Sequence, residues 1–453
     1  MSLRLQGKVE EAAQAFQKSI ALQPDLLEAH LNLVEALIAL TRFEEAIASG
    51  QQLLAKRPTP SSPQLDVIFA EVFNHVGNAF LENRRSDEAI ANYESALRLN
   101  PDYADAWSNL GIAHFRTHQF ERAEQAYRKA IALRPDFARA HVNLSLLLLL
   151  LGRYAEGWHE QEWRLADPSK PGPRWNGEPV PGRTILVHAE QGFGDLLQFF
   201  RYLPLVKARS EARVILFCQR ELVRLLAAAE CGVEVIANDQ DTVIPPFDLQ
   251  VPLLSLPLAL DLPDPWHPDS AYLSALPEWR ARWRKRLGRR SGLRVGLVWA
   301  GNSGQGDDAS RSLTFEQLRP LLRLPKIKFY RLQIAAAGAG AESTVEKKLV
   351  DLTADITDFA DTAALMAEMD LIITADTATA HLAGALGRPV WTLLSSLPAW
   401  RWGLQDDTTP WYPTMRLFRQ KTPGDWKEVI QRLTEALIDR VQHHSESKRM
   451  ANE

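Results

Sequence analysis

Prolines at 24, 58, 101 and 135, spaced by 34, 43 and 34 residues, each close an Ala-rich segment of helical periodicity. A period of that size means that each unit is too small to bury its own apolar face and must stack on its neighbours. The clearest unit reads Trp107-x2-Leu110-Gly111-x2-His114, then Ala123-x3-Tyr127, Ala130 and Pro135. The unit before it repeats the pattern with Phe73, Val76, Gly77, Phe80, Ala89, Tyr93, Ala96 and Pro101. Another runs through His30, Leu33, Leu37, Ala46 and Pro58, and a nine-residue insertion rich in Pro and Ser accounts for the longer spacing. A degenerate last unit contains His141, Leu144 and Gly152. Small residues at fixed places let paired helices approach closely, while larger ones fill the groove between pairs.

This pattern resembles the tetratricopeptide repeat, with His114 standing where Tyr is usual, and assigns residues 1–166 to an all-α superhelix. The chain opens within a unit, at the second helix marked by Ala12 and Phe16, which implies missing upstream residues or an atypical cap. Stacked helix pairs make a concave surface suited to an extended peptide, so a protein or peptide partner in that groove is the leading expectation. A rigid spacer or a dimer surface is the plainer one. Asn74, Asn78, Asn109 and Asn143 recur on first helices, either to hydrogen-bond a peptide backbone or as solvated polar positions.

Composition narrows the class. With 46% apolar and 24% charged residues over 453 positions, the chain reads as a globular protein of about three domains. A net charge of −4 gives no reason to expect nucleic acid or an anionic membrane as the main partner. The two cysteines, Cys218 and Cys231, do not make a disulfide framework and suit a reducing cytoplasm. No signal peptide is evident, and the longest greasy run, Leu144 to Leu151, is too short to span a bilayer. A soluble cytoplasmic protein without a transmembrane segment is expected.

Five prolines between 168 and 181 mark residues 167–183 as a linker without regular structure. Beyond it, strand and helix patterns alternate. The run Thr184–His188 opens one series and Arg294–Trp299 a second. Two such series imply two parallel-sheet lobes, 184–290 and 291–442, followed by a disordered tail over 443–453. Ligands bind such sheets at the carboxyl ends of the strands, so the cleft between lobes is where a site is sought.

Three loops point there. Glu190-Gln191-Gly192-Phe193-Gly194-Asp195 follows the first strand, and its glycines, Gly192 and Gly194, permit a tight turn and close approach to a ligand. It lacks the third glycine of a dinucleotide fingerprint, since position 197 is leucine. Asp195 is either a base that takes a proton from a hydroxyl or a plain helix cap. The loop Trp299-Ala300-Gly301-Asn302 through Arg311-Ser312 opens the second lobe, with Arg311 either a phosphate partner or a surface residue. Trp400-Arg401-Trp402 either walls a sugar or base, with Trp402 the candidate, or is simple packing.

The third is Asp376-Thr377-Ala378-Thr379-Ala380-His381, between the apolar run 371–373 and an Ala-rich helix stopped by Gly387 and Pro389. Unpaired amides and the positive end of the helix dipole make that corner attractive to a diphosphate. Asp376 or Thr377 acting only as a helix cap is the plainer alternative. His381 either carries a proton toward the diphosphate or is packed in its helix.

Together these motifs carry a family resemblance, joined by Gln198-Phe199, Arg201-Tyr202-Leu203-Pro204, Phe247-Asp248-Leu249, Asp358-Phe359-x-Asp361-Thr362-Ala363 and Trp411-Tyr412-Pro413. The segment 184–440 resembles the ADP-heptose:lipopolysaccharide heptosyltransferase-like glycosyltransferases of family 9, in the form fused to tetratricopeptide repeats in bacteria. The resemblance implies a GT-B fold of two Rossmann-like lobes with an interlobe cleft, whose terminal helix crosses back to the first lobe. It implies Asp195 as general base. It also implies that Asp376, Thr377 and His381 hold the donor's sugar and diphosphate, helped by the amides of 377 and 378. Arg311 lies near the family's basic phosphate contact, and Gln333 is a candidate nucleotide contact. Ala378 replaces a glycine common in the family, and the first lobe is short, which turns acceptor recognition toward the repeats. The implied reaction is inverting transfer from a nucleotide-diphosphate sugar to an acceptor hydroxyl, with no cofactor and no metal. A non-catalytic nucleotide-sugar-binding scaffold and a sugar-nucleotide epimerase of the same fold are the alternatives.

Overall fold

A computed structural model of the chain describes residues 3–58, 61–165, 172–266, 268, 271–301, 311–334 and 348–450. It forms two compact units, Met1–Leu148 with His159–Asp167, and Leu149–Trp158 with Pro168–Glu453.

The first unit is a run of antiparallel helix pairs. After α1 (Leu3–Leu22) come α2 (Leu27–Ala39) and α3 (Phe43–Leu54), α4 (Pro63–Glu82) and α5 (Ser86–Leu99), and α6 (Ala104–Arg116) and α7 (Phe120–Leu133). Helices α8 (Ala138–Leu150) and α9 (Tyr154–Gln161) follow, with Leu149–Trp158 counted in the second unit. Each first helix ends on a residue in the left-handed region, Thr41, Arg84, His118 and Gly152 in turn, with φ of 60°, 60°, 60° and 77°. Only the last uses glycine, so the turn is imposed by packing of the pair. The insertion after Pro58 is absorbed as extra turns on α4, which is 20 residues long and is capped by Ser62 accepting from the Leu65 amide at 3.3 Å. A β-carbon on Gly77 or Gly111 would fall 2.6 or 2.5 Å from the Tyr93 or Tyr127 ring, which explains the glycine at that repeat position.

Three of the four recurring asparagines bond each other. Asn109 Nδ2 donates to Asn74 Oδ1 at 2.9 Å and Asn78 Oδ1 at 3.0 Å, and Tyr93 donates to Asn78 at 2.8 Å. Asn74 and Asn109 are therefore structural ties between successive first helices, not solvated positions; both are buried.

The second unit holds two parallel sheets. The first contains β1 (Thr184–His188), β2 (Arg213–Cys218), β3 (Glu234–Ala237) and β4 (Leu249–Pro252) in the order β3-β2-β1-β4. The second contains β5 (Leu293–Val298), β6 (Ile327–Arg331), β7 (Leu349–Asp351), β8 (Leu371–Ala375), β9 (Val390–Leu394) and β10 (Met415–Arg419) in the order β10-β9-β8-β5-β6-β7. The central strands β5, β8 and β9 are buried along their whole length, as sheets covered on both faces require. Between the strands lie α10 (Phe193–Phe199), α11 (Leu203–Ser210), α12 (Arg220–Ala227), α13 (Leu256–Ala259), α14 (Pro277–Leu287), α15 (Phe315–Leu318), α16 (Phe359–Ala367), α17 (Ala378–Ala385) and α18 (Trp426–Met450).

One expectation holds and three change. From 172 to 183 the proline-rich stretch holds no helix or strand, yet it is packed: Trp175 is fully buried, and its amide donates to Gln250 O at 2.9 Å while Pro173 O accepts from the Gln250 amide. Helix α14, placed in the first lobe by the sequence, docks on α16 of the second through Arg280 and Arg284 to Glu368 and Arg282 to Asp361. Helix α18 packs on the second lobe and does not cross back, because Trp426, Val429, Ile430, Leu433 and Leu437 form one stripe in that lobe's core. The same helix runs to Met450, into the expected disordered tail, since the segment after Val441 contains no glycine or proline to stop it. Among the described residues no helix is long and apolar enough to cross a membrane.

Candidate functional site

In the second sheet the strand order reverses between β5 and β8, and this switch point is where doubly wound sheets take ligands. Strand β8 ends there at Ala375, leaving Asp376 and Thr377 at the corner before α17. Thr377 is the N-cap, in extended conformation, and its hydroxyl accepts from the Thr379 amide at 3.3 Å. Ala378, the first helical residue, has no intrahelical acceptor for its amide. Asp376 is buried, and desolvation pushes its carboxyl up from the ordinary range, opposed by the Trp402 indole, the Arg311 charge and the Ala399 amide. On the β5 side, Gln333 Oε1 accepts from the amides of Trp299 at 3.1 Å and Ala300 at 2.9 Å. Its carboxamide oxygen thus clamps the loop backbone. Asn302 lies outside the described residues.

In the first lobe, Glu190 accepts from the Leu254 amide at 3.2 Å, joining the ends of β1 and β4. Gly192 has an ordinary φ of −74°, and its amide donates to Asp195 Oδ2 at 3.1 Å, half of a capping box. Gly194 is required by a contact: a β-carbon there would lie 2.8 Å from His381 Cδ2 and 3.7 Å from Ala378 Cα. The N-terminal end of α10 therefore rests directly on that of α17. The expected cleft is closed at this point, and the glycine serves the contact between lobes.

His381 is buried with Nδ1 2.9 Å from the Tyr412 hydroxyl and its ring stacked on Trp402, centroids 5.1 Å apart. Burial, then the nearby Arg201 charge, brings its pKa down to about 3. Without a ligand, burial thus favours the neutral imidazole, in keeping with the packed alternative for His381. Trp402 is 2% exposed and supports His381, which makes it a packing residue of this site and not an open wall.

Sequence reasoning missed several residues. Arg401 pairs with Asp195 across the lobes, and its Nε donates to Gln198 Oε1 at 2.5 Å. Arg201 is 1% exposed and donates to Trp411 O at 2.9 Å, Trp266 O at 3.3 Å, Gln198 O at 2.8 Å and Tyr272 Oη at 3.2 Å. Its guanidinium also lies within 4.9 Å of the Tyr272 ring and 4.8 Å of the Tyr412 ring. Behind Arg401, Trp400 is edge-on to Trp158 at 5.4 Å and Trp411 at 5.7 Å, while Tyr154 meets Trp411 at 6.0 Å. Gln198, Arg201, Trp411 and Tyr412 all stood in the family motifs. Nothing in the sequence, however, said that they would meet. Among the described residues no group of three or more His, Cys, Asp or Glu could hold a metal ion.

Gly194, Ala378 and His381 are thus brought together from two lobes, with Asp195 following Gly194 in the chain and Asp376 and Thr377 at the head of the second helix. This is the arrangement of a doubly wound α/β protein with its ligand corner at the switch point. Comparison with known proteins gives the class more closely. Residues 337–436 match the model of glycosyltransferase family 9 (heptosyltransferase), and tetratricopeptide-repeat models match residues 3–64, 77–117 and 104–137. Protein FlbA of Caulobacter vibrioides (strain ATCC 19089 / CIP 103742 / CB 15) is 29% identical over 468 residues, covering 95% of this chain and 76% of that protein. Among solved structures, MamA 41-end from Desulfovibrio magneticus RS-1 is 20% identical, with a TM-score of 0.31 over 36% of this chain and 89% of that one. The thermophilic repeat protein TTC0263 of Thermus thermophilus is 22% identical, with a TM-score of 0.30 over 37% and 87%. The matches thus place tetratricopeptide repeats within residues 3–137 and a glycosyltransferase family 9 domain at 337–436.

Proposed function

We propose that this protein is an inverting, metal-independent glycosyltransferase acting in the cytoplasm. It moves a sugar from a nucleotide-diphosphate sugar to an acceptor hydroxyl, and the repeats recruit a protein acceptor or partner. The observation that carries this reading is the meeting of the Asp195 turn with the head of α17 at the switch point of a doubly wound sheet. In it, the donor's diphosphate rests on the amides that begin at Thr377, within the field of Arg311, where negative charge develops as the leaving group departs. Asp195 takes the proton of the attacking hydroxyl. His381 contributes hydrogen bonding.

A scaffold that binds nucleotide sugars without transferring them draws support from Asp195 itself, whose two oxygens already hold Gly192 and Arg401. Turnover of donor separates the two readings.

Donor binding is tested by thermal denaturation of the full chain with ADP, GDP, UDP and CDP. One of the four is expected to raise the melting temperature, since a ligand at 100 times its Kd adds about 2.7 kcal/mol. Thr377→Asp keeps a good N-cap while setting a negative charge against the diphosphate, so it is expected to fold and lose that shift. A shift unchanged in Thr377→Asp, or no shift with any of the four, would overturn the site.

A further inference from the structure

We infer that Arg401 is a positioning residue for Asp195, delivered from the second lobe and held in place by Gln198 of the first. The inference rests on the reading of Asp195 as the base. Three features carry it. Arg401 and Asp195 are both largely enclosed, with side chains 12% and 15% exposed, so their pairing is not an incidental surface contact. Burial pulls the Arg401 guanidinium down to about 10, which still leaves it charged at neutral pH. A charge placed in such surroundings persists only with compensating partners. Asp195 supplies the charge, Gln198 Oε1 a hydrogen bond, and the Trp400 ring a face at 4.7 Å.

The second feature is direction. Asp195 Oδ2 is tied within its own lobe to the Gly192 amide, whereas Oδ1 is tied to Arg401. The carboxylate plane is therefore set by one bond from each lobe. Each oxygen keeps a lone pair for an incoming hydroxyl. Parting the lobes would free Oδ1 and let the carboxylate turn, so the base acquires its orientation only when Arg401 and Gln198 have met. Assembly of the reacting groups on closure is a known route by which enzymes tie catalysis to a bound substrate.

The third is Gln198. It is fully buried, its oxygen is used by Arg401, and its Nε2 has no hydrogen-bond partner among the described residues. A carboxamide with one end spent on a guanidinium and the other end idle is placed for Arg401, not for the fold.

The test compares wild type, Arg401→Gln, Arg401→Lys, Gln198→Met and Asp195→Asn as full chains. The probes are ADP-, GDP-, UDP- and CDP-linked hexoses with water as acceptor, and the readout is release of nucleoside diphosphate against pH. Loss of the guanidinium beside a carboxylate raises the pH at which that carboxylate works by about one unit or more. Arg401→Gln is therefore expected to lower kcat and move the acidic limb of the profile to higher pH, with thermal shifts by the nucleoside diphosphate unchanged. Gln198→Met should move the limb the same way by less, and Arg401→Lys should restore it. Loss of turnover in Asp195→Asn together with an unmoved limb in Arg401→Gln would overturn the positioning role alone. Turnover surviving in Asp195→Asn would remove the base, and no turnover in wild type would remove both. Arg401→Gln that fails to fold leaves Gln198→Met to decide.

Discussion

Asp195→Asn is expected to leave folding and donor binding intact while reducing sugar transfer by about 10²- to 10⁴-fold. The substitution is isosteric. Asparagine keeps an oxygen for the Gly192 amide or for Arg401, the two bonds that hold the carboxylate. It loses the ability to take a proton and the negative charge that faces Arg401, so the variant is expected to fold with a lowered melting temperature. Donor binding, read as the thermal shift with nucleoside diphosphate, is governed by the α17 corner and should not change. Equal transfer by the variant would place the base elsewhere and reduce Asp195 to the capping role that the sequence also allowed.

The second large effect concerns stability. Arg201→Ala removes a buried side chain that serves four neutral oxygens and three aromatic faces. Lost charge-assisted bonds and lost packing should cost about 3–4 kcal/mol, visible as a fall in melting temperature. The same variant should change the response to acid. His381 is depressed to about 3 when folded, against about 6.5 when unfolded, so only the unfolded chain takes the proton in between. This contribution is complete above the unfolded value and falls away as pH drops toward 3, by about 1.4 kcal/mol per pH unit. Asp376 has the opposite sign, since its raised carboxyl binds a proton more readily when folded and recovers stability on acidification. Removing the Arg201 charge lets His381 titrate closer to its ordinary value, so the acid loss in Arg201→Ala should be shallower than in wild type. Parallel curves of melting temperature against pH would show that Arg201 does not act on His381.

Much of this architecture was legible because it is periodic or local. The repeats announced themselves through Gly77, Gly111 and the prolines, and strands β1, β5, β8 and β9 through continuous apolar runs. The α17 corner was equally clear, because an Asp-Thr cap after a buried strand has few other conformations available. Helix α14 was not, since its mean pattern is dominated by charge and its partners, Glu368 and Asp361, lie about 80 residues away in the chain. Arg401 failed to stand out for a related reason. Between two tryptophans it looked like packing, and its meaning depends on Asp195, 206 residues earlier. The direction of α18 was misjudged because length alone does not say which core an amphipathic stripe will cover.

The aromatic nest behind Arg401 has a practical consequence for dissecting the chain. Tyr154 and Trp158 belong to α9, ahead of the proline-rich stretch, yet their rings complete the packing of Trp400 and Trp411. Severing the polypeptide at those prolines would strip two rings from the nest and bare a greasy hollow beneath the guanidinium.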